Sequence, residues 1–300
     1  MSTRANFSPA TKELLARRAG FHCSFPGCYA PTTGPSAEST GSVSNSGMAC
    51  HIWAAASGGS ACRVSTTMEK HQLEDASNGI WMCYSHGKLI DTDENTYTAA
   101  MLLTWKHIAE LRAKLSQELG RDVVLTPRDL AQVPLPAETL QFLSLGEENR
   151  IIGDAIANSC IEQIWGRELA RATRDALIEL LRNAFSHGKA ANATIDIQAS
   201  YIEVSDNGQQ FDSTTLTGLS GGGGSLSLVA LREDHGATIV FRSEYVSGQN
   251  LNRLTLVRKP ADISSATPCS VSIDHTTMAT LHHQLQTLTA CNTIYVLLEL

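Results

Sequence analysis

Three hundred residues, 42% apolar side chains and a formal charge of −7 describe a globular chain long enough for two domains. Residues 1–120 carry ten Lys plus Arg against ten Asp plus Glu, so the acidic excess lies beyond residue 120 and neither half is a basic nucleic-acid glove. No window holds 18 consecutive apolar residues, and the start MSTRANFSPATKELLARR lacks a signal peptide's apolar core. Neither a membrane span nor a signal peptide is expected, and a cytoplasmic location follows by default.

In chain order, a short helix is expected over Ser8 to Ala19, followed by a stretch at 20–62 rich in Gly, Ser, Thr, Pro and Cys with little periodicity. A metal organises such a stretch better than a hydrophobic core does. Cys23-x4-Cys28 and Cys83-x2-His86 are two pairs of soft ligands, each spaced to reach one ion from a tight turn, and together they suit a closed tetrahedral zinc site. Cys160, Cys269 and Cys291 are isolated and read as buried packing residues. The pattern from Thr98 to Leu119 is helical and closes at Gly120.

The ordered motifs CSFPGC, CHI, NGIWMC and SHGKLID, with the TWK helix behind them, resemble the HNH, or ββα-metal, nuclease family over roughly residues 18 to 110. That resemblance implies that His51 is the general base that activates water against a phosphodiester. Asn78 would orient the loop or the base, and a Mg²⁺ or Mn²⁺ ion would stabilise the departing oxygen. A histidine titrating near neutral pH and a hard cation are what that chemistry needs. The chain departs from the pattern at two positions: Gly87 occupies the slot of the usual metal-binding histidine, and Cys50 stands where an aspartate would offer a hard ligand. His86 can then serve zinc or the catalytic ion but not both. Asp91 is either a substitute ligand or an exposed cap.

Residues 120–139, with their prolines, read as a linker between a domain at 1–119 and a second domain at 140–262. The second domain is expected to be helical from about Leu140 to Ser186, with strands at 193–198, 200–206, 237–244 and 251–259. A glycine tract at 220–225 precedes a helix that ends at Gly236. Residues 263–300 read as a small β-α-β appendage that stops inside an apolar strand pattern, as in a truncated chain.

Within ALIELLRNAFSHG (176–188), Leu177, Leu180, Leu181, Ala184 and Phe185 share one arc of a helix, and Glu179, Asn183 and His187 stack along its edge. Alone, that stripe is an ordinary wet helix edge. Followed by SDNGQQFD (205–212) and GGGGSLSL (221–228), it resembles the GHKL ATP-binding fold shared by histidine kinases, MutL and the gyrase ATPase subunit.

The GHKL resemblance implies that Asn183 binds the Mg²⁺ of ATP-Mg and that Glu179 polarises a hydrolytic water if ATP is hydrolysed. His187 would line the phosphates, Asp206 would take the adenine amine, and Gly208 would let the backbone approach the base. Gly222 and Gly224 would belong to a lid closing on the phosphates. Residues 140–175 contain no histidine, which argues against autophosphorylation.

The expected fold class is α+β: a zinc-stabilised ββα-metal domain followed by an α/β-sandwich GHKL (Bergerat) domain. Two functions stay open. One is an ATP-regulated, metal-dependent HNH endonuclease with DNA as substrate, in the manner of bacterial anti-phage effectors, compatible with a homodimer through the GHKL domain. The other is a nucleotide-binding regulatory or scaffold protein whose degenerate HNH module binds nucleic acid or a protein.

Overall fold

The computed structural model describes residues 4–56, 62–216, 226–289, 291 and 293–298. The chain is mixed α+β and divides into two compact units, Met1–Val133 and Pro134–Leu300. Among the described residues no helix is long and apolar enough to cross a membrane.

The first unit opens with α1 (Pro9–Arg18), capped by the Ser8 hydroxyl, which accepts from the Thr11 amide, with proline in the first turn. A short hairpin, β1 (Thr33–Pro35) and β2 (Val43–Asn45), precedes the pair that matters: β3 (Gly47–His51) and β4 (Gly79–Cys83), antiparallel with His51 opposite Gly79 and Gly47 opposite Cys83. Between them lie α2 (Lys70–Leu73) and a 3₁₀ turn, Ala76–Asn78. Strand β4 runs straight into α3 (Tyr84–Ile90), and α4 (Ala99–Leu119) stops at Gly120 in the left-handed conformation. Phe7, Leu15, Ala16, Ala19 and Trp81 form one buried apolar cluster, and Ile52, Ile80, Met82, Ile90, Leu102 and Trp105 are buried in the same unit.

Sequence reading gave Arg63 no role, yet its side chain is buried and organises the loop after β3. Its guanidinium donates to the carbonyls of Ile52 (2.8 Å), Tyr97 (3.3 Å), Ile90 and His51, and pairs with Asp91 at 3.1 Å. Five donors in a rigid fork suit this task, which Lys cannot reproduce. Arg63→Met strands several buried carbonyls and is expected to cost on the order of 3 kcal/mol of stability, read as a lowered urea midpoint.

The boundary between the units falls within residues 120–139, but the helical expectation from Leu140 is corrected. After α5 (Pro127–Leu130) the chain enters β5 (Glu138–Phe142), so Leu140–Phe142 is a strand and not the start of a helix. The short run ETLQF alternates half-buried and exposed positions because it pairs along one edge of a sheet. Helices α6 (Glu148–Asn158), α7 (Ile161–Trp165) and α8 (Arg167–Ser186) follow. Then come β6 (Ala193–Gln198), β7 (Tyr201–Asp206), α9 (Leu226–His235), β8 (Ile239–Val246) and β9 (Gln249–Leu256).

The five strands form one antiparallel sheet in the order β5-β6-β7-β9-β8. Strand alternation buries Ala193, Ile195, Ile197, Ile202, Val204, Leu254 and Leu256 on one face, where α8 presents Leu177, Leu180, Leu181 and Ala184. Three members of that buried face are polar: Asp206, Asn250 and Asn252.

Beyond the sheet, α10 (Pro260–Ala266), β10 (Ser270–Ile273), α11 (Leu281–Thr287) and β11 (Tyr295–Leu298) form a β-α-β piece with β10 and β11 parallel. Cys269 and Cys291 are not packing residues; they form a disulfide with Cα atoms 5.7 Å apart, because β10 and β11 start side by side. Cys160 is fully buried, as expected of a packing cysteine.

Candidate metal centre and nucleotide cavity

Cys23, Cys28, Cys83 and His86 come together in the first unit, their ligand atoms all within 4.8 Å of one another. Local structure explains the meeting. Residues 23–28 turn back on themselves, with the Cys28 amide donating to the Phe25 carbonyl and Gly27 at positive φ. Cys83 ends β4 and His86 sits in the first turn of α3, so three residues of helix bring the pair to one point.

His86 turns Nδ1 inward, 3.2 Å from Cys83 Sγ and 3.6 Å from Cys23 Sγ, while Phe25 stacks on its ring at 3.9 Å and fixes that rotamer. A tetrahedral zinc ion with sulfur and nitrogen ligands needs neighbours about 3.6–3.8 Å apart. The four side chains can therefore hold a metal ion such as zinc. Burial pushes the Cys23 thiol up to about 12, so a cation is what makes a thiolate tenable there. His86 belongs to this set, and among the described residues no second such group exists.

The positions that the nuclease pattern assigns to a catalytic ion are built otherwise. A Cβ on Gly87 would meet Met48 Sδ at 2.6 Å and Cys50 Sγ at 2.9 Å, so helix α3 lies directly on β3. Cys50 is 3% exposed, and burial raises its thiol strongly. Asp91 caps α3 and is engaged by Arg63. Glycine, a buried thiol and a paired carboxylate do not fit a hard divalent ion. Asn78 pins the loop and not the base: its Oδ1 accepts from the Trp53 amide at 2.8 Å, and its Nδ2 donates to the Trp53 and Leu73 carbonyls.

His51 stands at the end of β3 under the amino-terminal arm. Phe7 stacks flat on its imidazole, centroids 3.8 Å apart and planes 6° from parallel, and the Ala5 amide donates to the Ala55 carbonyl to hold the arm in place. Nε2 is buried without a hydrogen-bond partner. Burial, reinforced by the positive charges of Arg4 and Lys12, lowers the imidazole to about 4.

A folded-state value below the ordinary one means that the unfolded chain takes up the proton first. The contribution of His51 to stability is therefore full above about 6.5 and is lost as pH falls toward about 4. An NMR titration is expected to place His51 near 4, and Phe7→Ala to move it back toward the ordinary histidine value. An unchanged titration would remove the arm as the cause.

In the second unit, α8 carries Asn183 and His187 to the rim of two adjoining cavities of about 340 and about 380 Å³. The first is floored by Asp206, Asn250 and Asn252. The second is lined by Glu179, Arg174 and Arg182. Two turns shape the first. The helix ends with the His187 and Gly188 amides donating to the Asn183 carbonyl, and the Gln209 amide donates to the Gly188 carbonyl at 2.7 Å. A Cβ on Gly208 would meet that carbonyl at 2.8 Å, so only glycine lets the loop after β7 cross the end of α8.

Asp206 Oδ1 accepts from the Gly208 amide and from Asn250 Nδ2, both at 2.9 Å. Asn252 Oδ1 is buried without a partner beside them. Glu179 accepts from the Ser227 amide at 3.2 Å at the start of α9, leaves its other oxygen buried and unpartnered, and has its pKa raised by burial.

Gly222 and Gly224 lie outside the described residues. Asn250, Asn252, Arg174 and Arg182 escaped sequence reading. The signal for the first two was present, since alternation in QNLNRLTL sets both asparagines on the face of Leu254 and Leu256.

Comparisons with family models, curated proteins and solved structures find no match for this chain.

Proposed function

We propose that the second unit binds ATP-Mg in the manner of the GHKL fold, and that the first is a zinc-stabilised, HNH-like module that regulates or scaffolds without cutting. The observation that carries the nucleotide half is the cavity itself. Asn183, His187, Asp206 and Gly208, from two sequence motifs twenty residues apart, line or shape one hollow whose floor is polar on an otherwise apolar sheet face. A hollow with a few convergent polar groups is the usual form of a small-molecule site.

In this reading Asp206 takes the adenine amine. Asn183 offers an amide oxygen to Mg²⁺ at the mouth, and Arg174 and Arg182 face the phosphate side. Glu179 is poised either to polarise water or to hold the start of α9. Adding ATP and Mg²⁺ to isotope-labelled protein should shift the amide signals of Asp206, Gly208 and Phe211. Shifts confined to the first unit, or none, would overturn the reading.

The non-cutting half rests on the chemistry at Gly87, Cys50 and Asp91, which does not fit a hard catalytic ion. One observation bears on the cutting alternative: His51 is neutral at physiological pH with an unpartnered Nε2. That nitrogen is buried under Phe7, however, and its value of about 4 lies well below the near-neutral one expected of a general base, so cutting would need the arm to move away. That alternative predicts plasmid nicking in Mg²⁺ or Mn²⁺, enhanced by Phe7→Ala and abolished by His51→Ala. Nicking with that pattern would displace the non-cutting account.

A further inference from the structure

We infer that Asn250 sets the base preference of the cavity, by dictating which oxygen of Asp206 a ligand meets, and so selects an adenine over a 6-oxopurine. This rests on the nucleotide reading above. The amide of Asn250 is 3% exposed and fully engaged: Oδ1 accepts from the Phe211 amide at 2.9 Å, and Nδ2 donates to Asp206 Oδ1 at 2.9 Å and to the Gln209 carbonyl at 3.0 Å. Since the Phe211 amide can only donate and the Gln209 carbonyl can only accept, the orientation of the Asn250 amide is fixed.

Asp206 Oδ1 thus receives two N–H groups, from Asn250 and from Gly208, and is saturated. The carboxylate offers the cavity one acceptor, Oδ2. Adenine presents a single exocyclic amine beside the acceptor N1, and one carboxylate oxygen suits it. A 6-oxopurine presents an acceptor where adenine has its amine, facing Oδ2 with a lone pair. Guanine's two adjacent donors need both oxygens of a free carboxylate. A site built to accept one N–H rejects the analogue that lacks it, because the buried acceptor is left unpaired.

The same geometry makes a less obvious statement about Asp206→Asn. The Gly208 amide and Asn250 Nδ2 still point at the Oδ1 position, so the new amide must keep its oxygen there and turn its NH₂ into the cavity. A donor then replaces an acceptor with almost no change in shape.

The test is calorimetric titration of the full chain with ATP and with ITP, the hypoxanthine nucleotide, in Mg²⁺. Wild type should favour ATP, and Asp206→Asn should reverse the preference to ITP, each by about tenfold or more. In the double variant Asp206→Asn with Asn250→Leu only the Gly208 amide still points at the Oδ1 position, so the amide is held less firmly and the preference for ITP should fall about threefold or more. An unchanged preference would assign the orientation to Gly208 alone and overturn the role of Asn250.

Should Asp206→Asn fail to fold, Asn250→Leu alone is the substitute. It removes one of the two hydrogen bonds on Oδ1, which can then accept a second donor from the ligand beside the Gly208 amide, and GTP binding should improve about tenfold relative to ATP. Retention of the ATP preference by Asp206→Asn, or loss of ATP without gain of ITP, would overturn the role of Asn250 while leaving the nucleotide site standing. Wild-type protein that binds no nucleotide would overturn both.

Discussion

Removing the metal from the Cys23, Cys28, Cys83 and His86 cluster, or replacing Cys83 by serine, is expected to unfold the first unit. Residues 20–46 contribute turns and a hairpin of two three-residue strands, with few apolar side chains of their own to hold them against the buried Ile80, Met82, Leu102 and Trp105 of the same unit. Structural zinc sites supply an apparent binding free energy on the order of 10 kcal/mol, as large as the whole stability of an ordinary domain.

The loss should be cooperative, because Cys23 anchors the loop to the Ala30 carbonyl while the neighbouring Ser24 amide donates to the Trp81 carbonyl in β4. Zinc quantification with circular dichroism should therefore show one ion per chain and a loss of roughly half the ordered signal on chelation at neutral pH. His86→Cys, which keeps four soft ligands, should retain the metal. A first unit that stays folded after complete metal loss would mean that the four side chains merely pack.

The second large effect belongs to the proposed nucleotide cavity. Asp206→Ala removes the buried acceptor at its floor and is expected to weaken ATP binding about a hundredfold, the usual scale for losing a charged hydrogen bond in a closed site. Asn183→Ala should act differently. It leaves the floor intact and removes the amide proposed to hold Mg²⁺, so it should abolish the enhancement of binding by Mg²⁺ and spare much of the metal-free affinity. Titrations of both variants with and without Mg²⁺ separate the two roles. Equal losses in both conditions would place Asn183 in the wall and not on the metal.

Parts of this architecture are legible in the sequence because they obey short-range rules. Cys-x4-Cys and Cys-x2-His announce ligands held by local turns, the helix at 99–119 announces its own end with Gly120, and β6 and β7 follow the alternation that one buried face demands. The groups that sequence reading missed are those whose partners lie far along the chain. Arg63 finds its carbonyls at Ile52, Ile90 and Tyr97, and nothing near residue 63 marks it as buried. Phe7 meets His51 only because an extended arm crosses β3.

Cys269 and Cys291 are 22 residues apart, and only the parallel pairing of β10 with β11 brings them together. Leu140 to Phe142 looked helical because five residues cannot establish a period, and their register against β6 decides the matter. At the cavity, the helix stripe and Asp206 were readable, whereas the clamp by Asn250 needed the pairing of β7 with β9, which sets Asp206 opposite Asn250.

The central claim, that the second unit is a nucleotide site, is tested most directly by titrating the full chain with ATP in the presence of Mg²⁺ in a calorimeter. The account predicts saturable binding of one ATP per chain, strengthened by Mg²⁺ and lost in Asp206→Ala. Absence of any heat of binding at millimolar ATP, or binding that Asp206→Ala leaves unchanged, would contradict it.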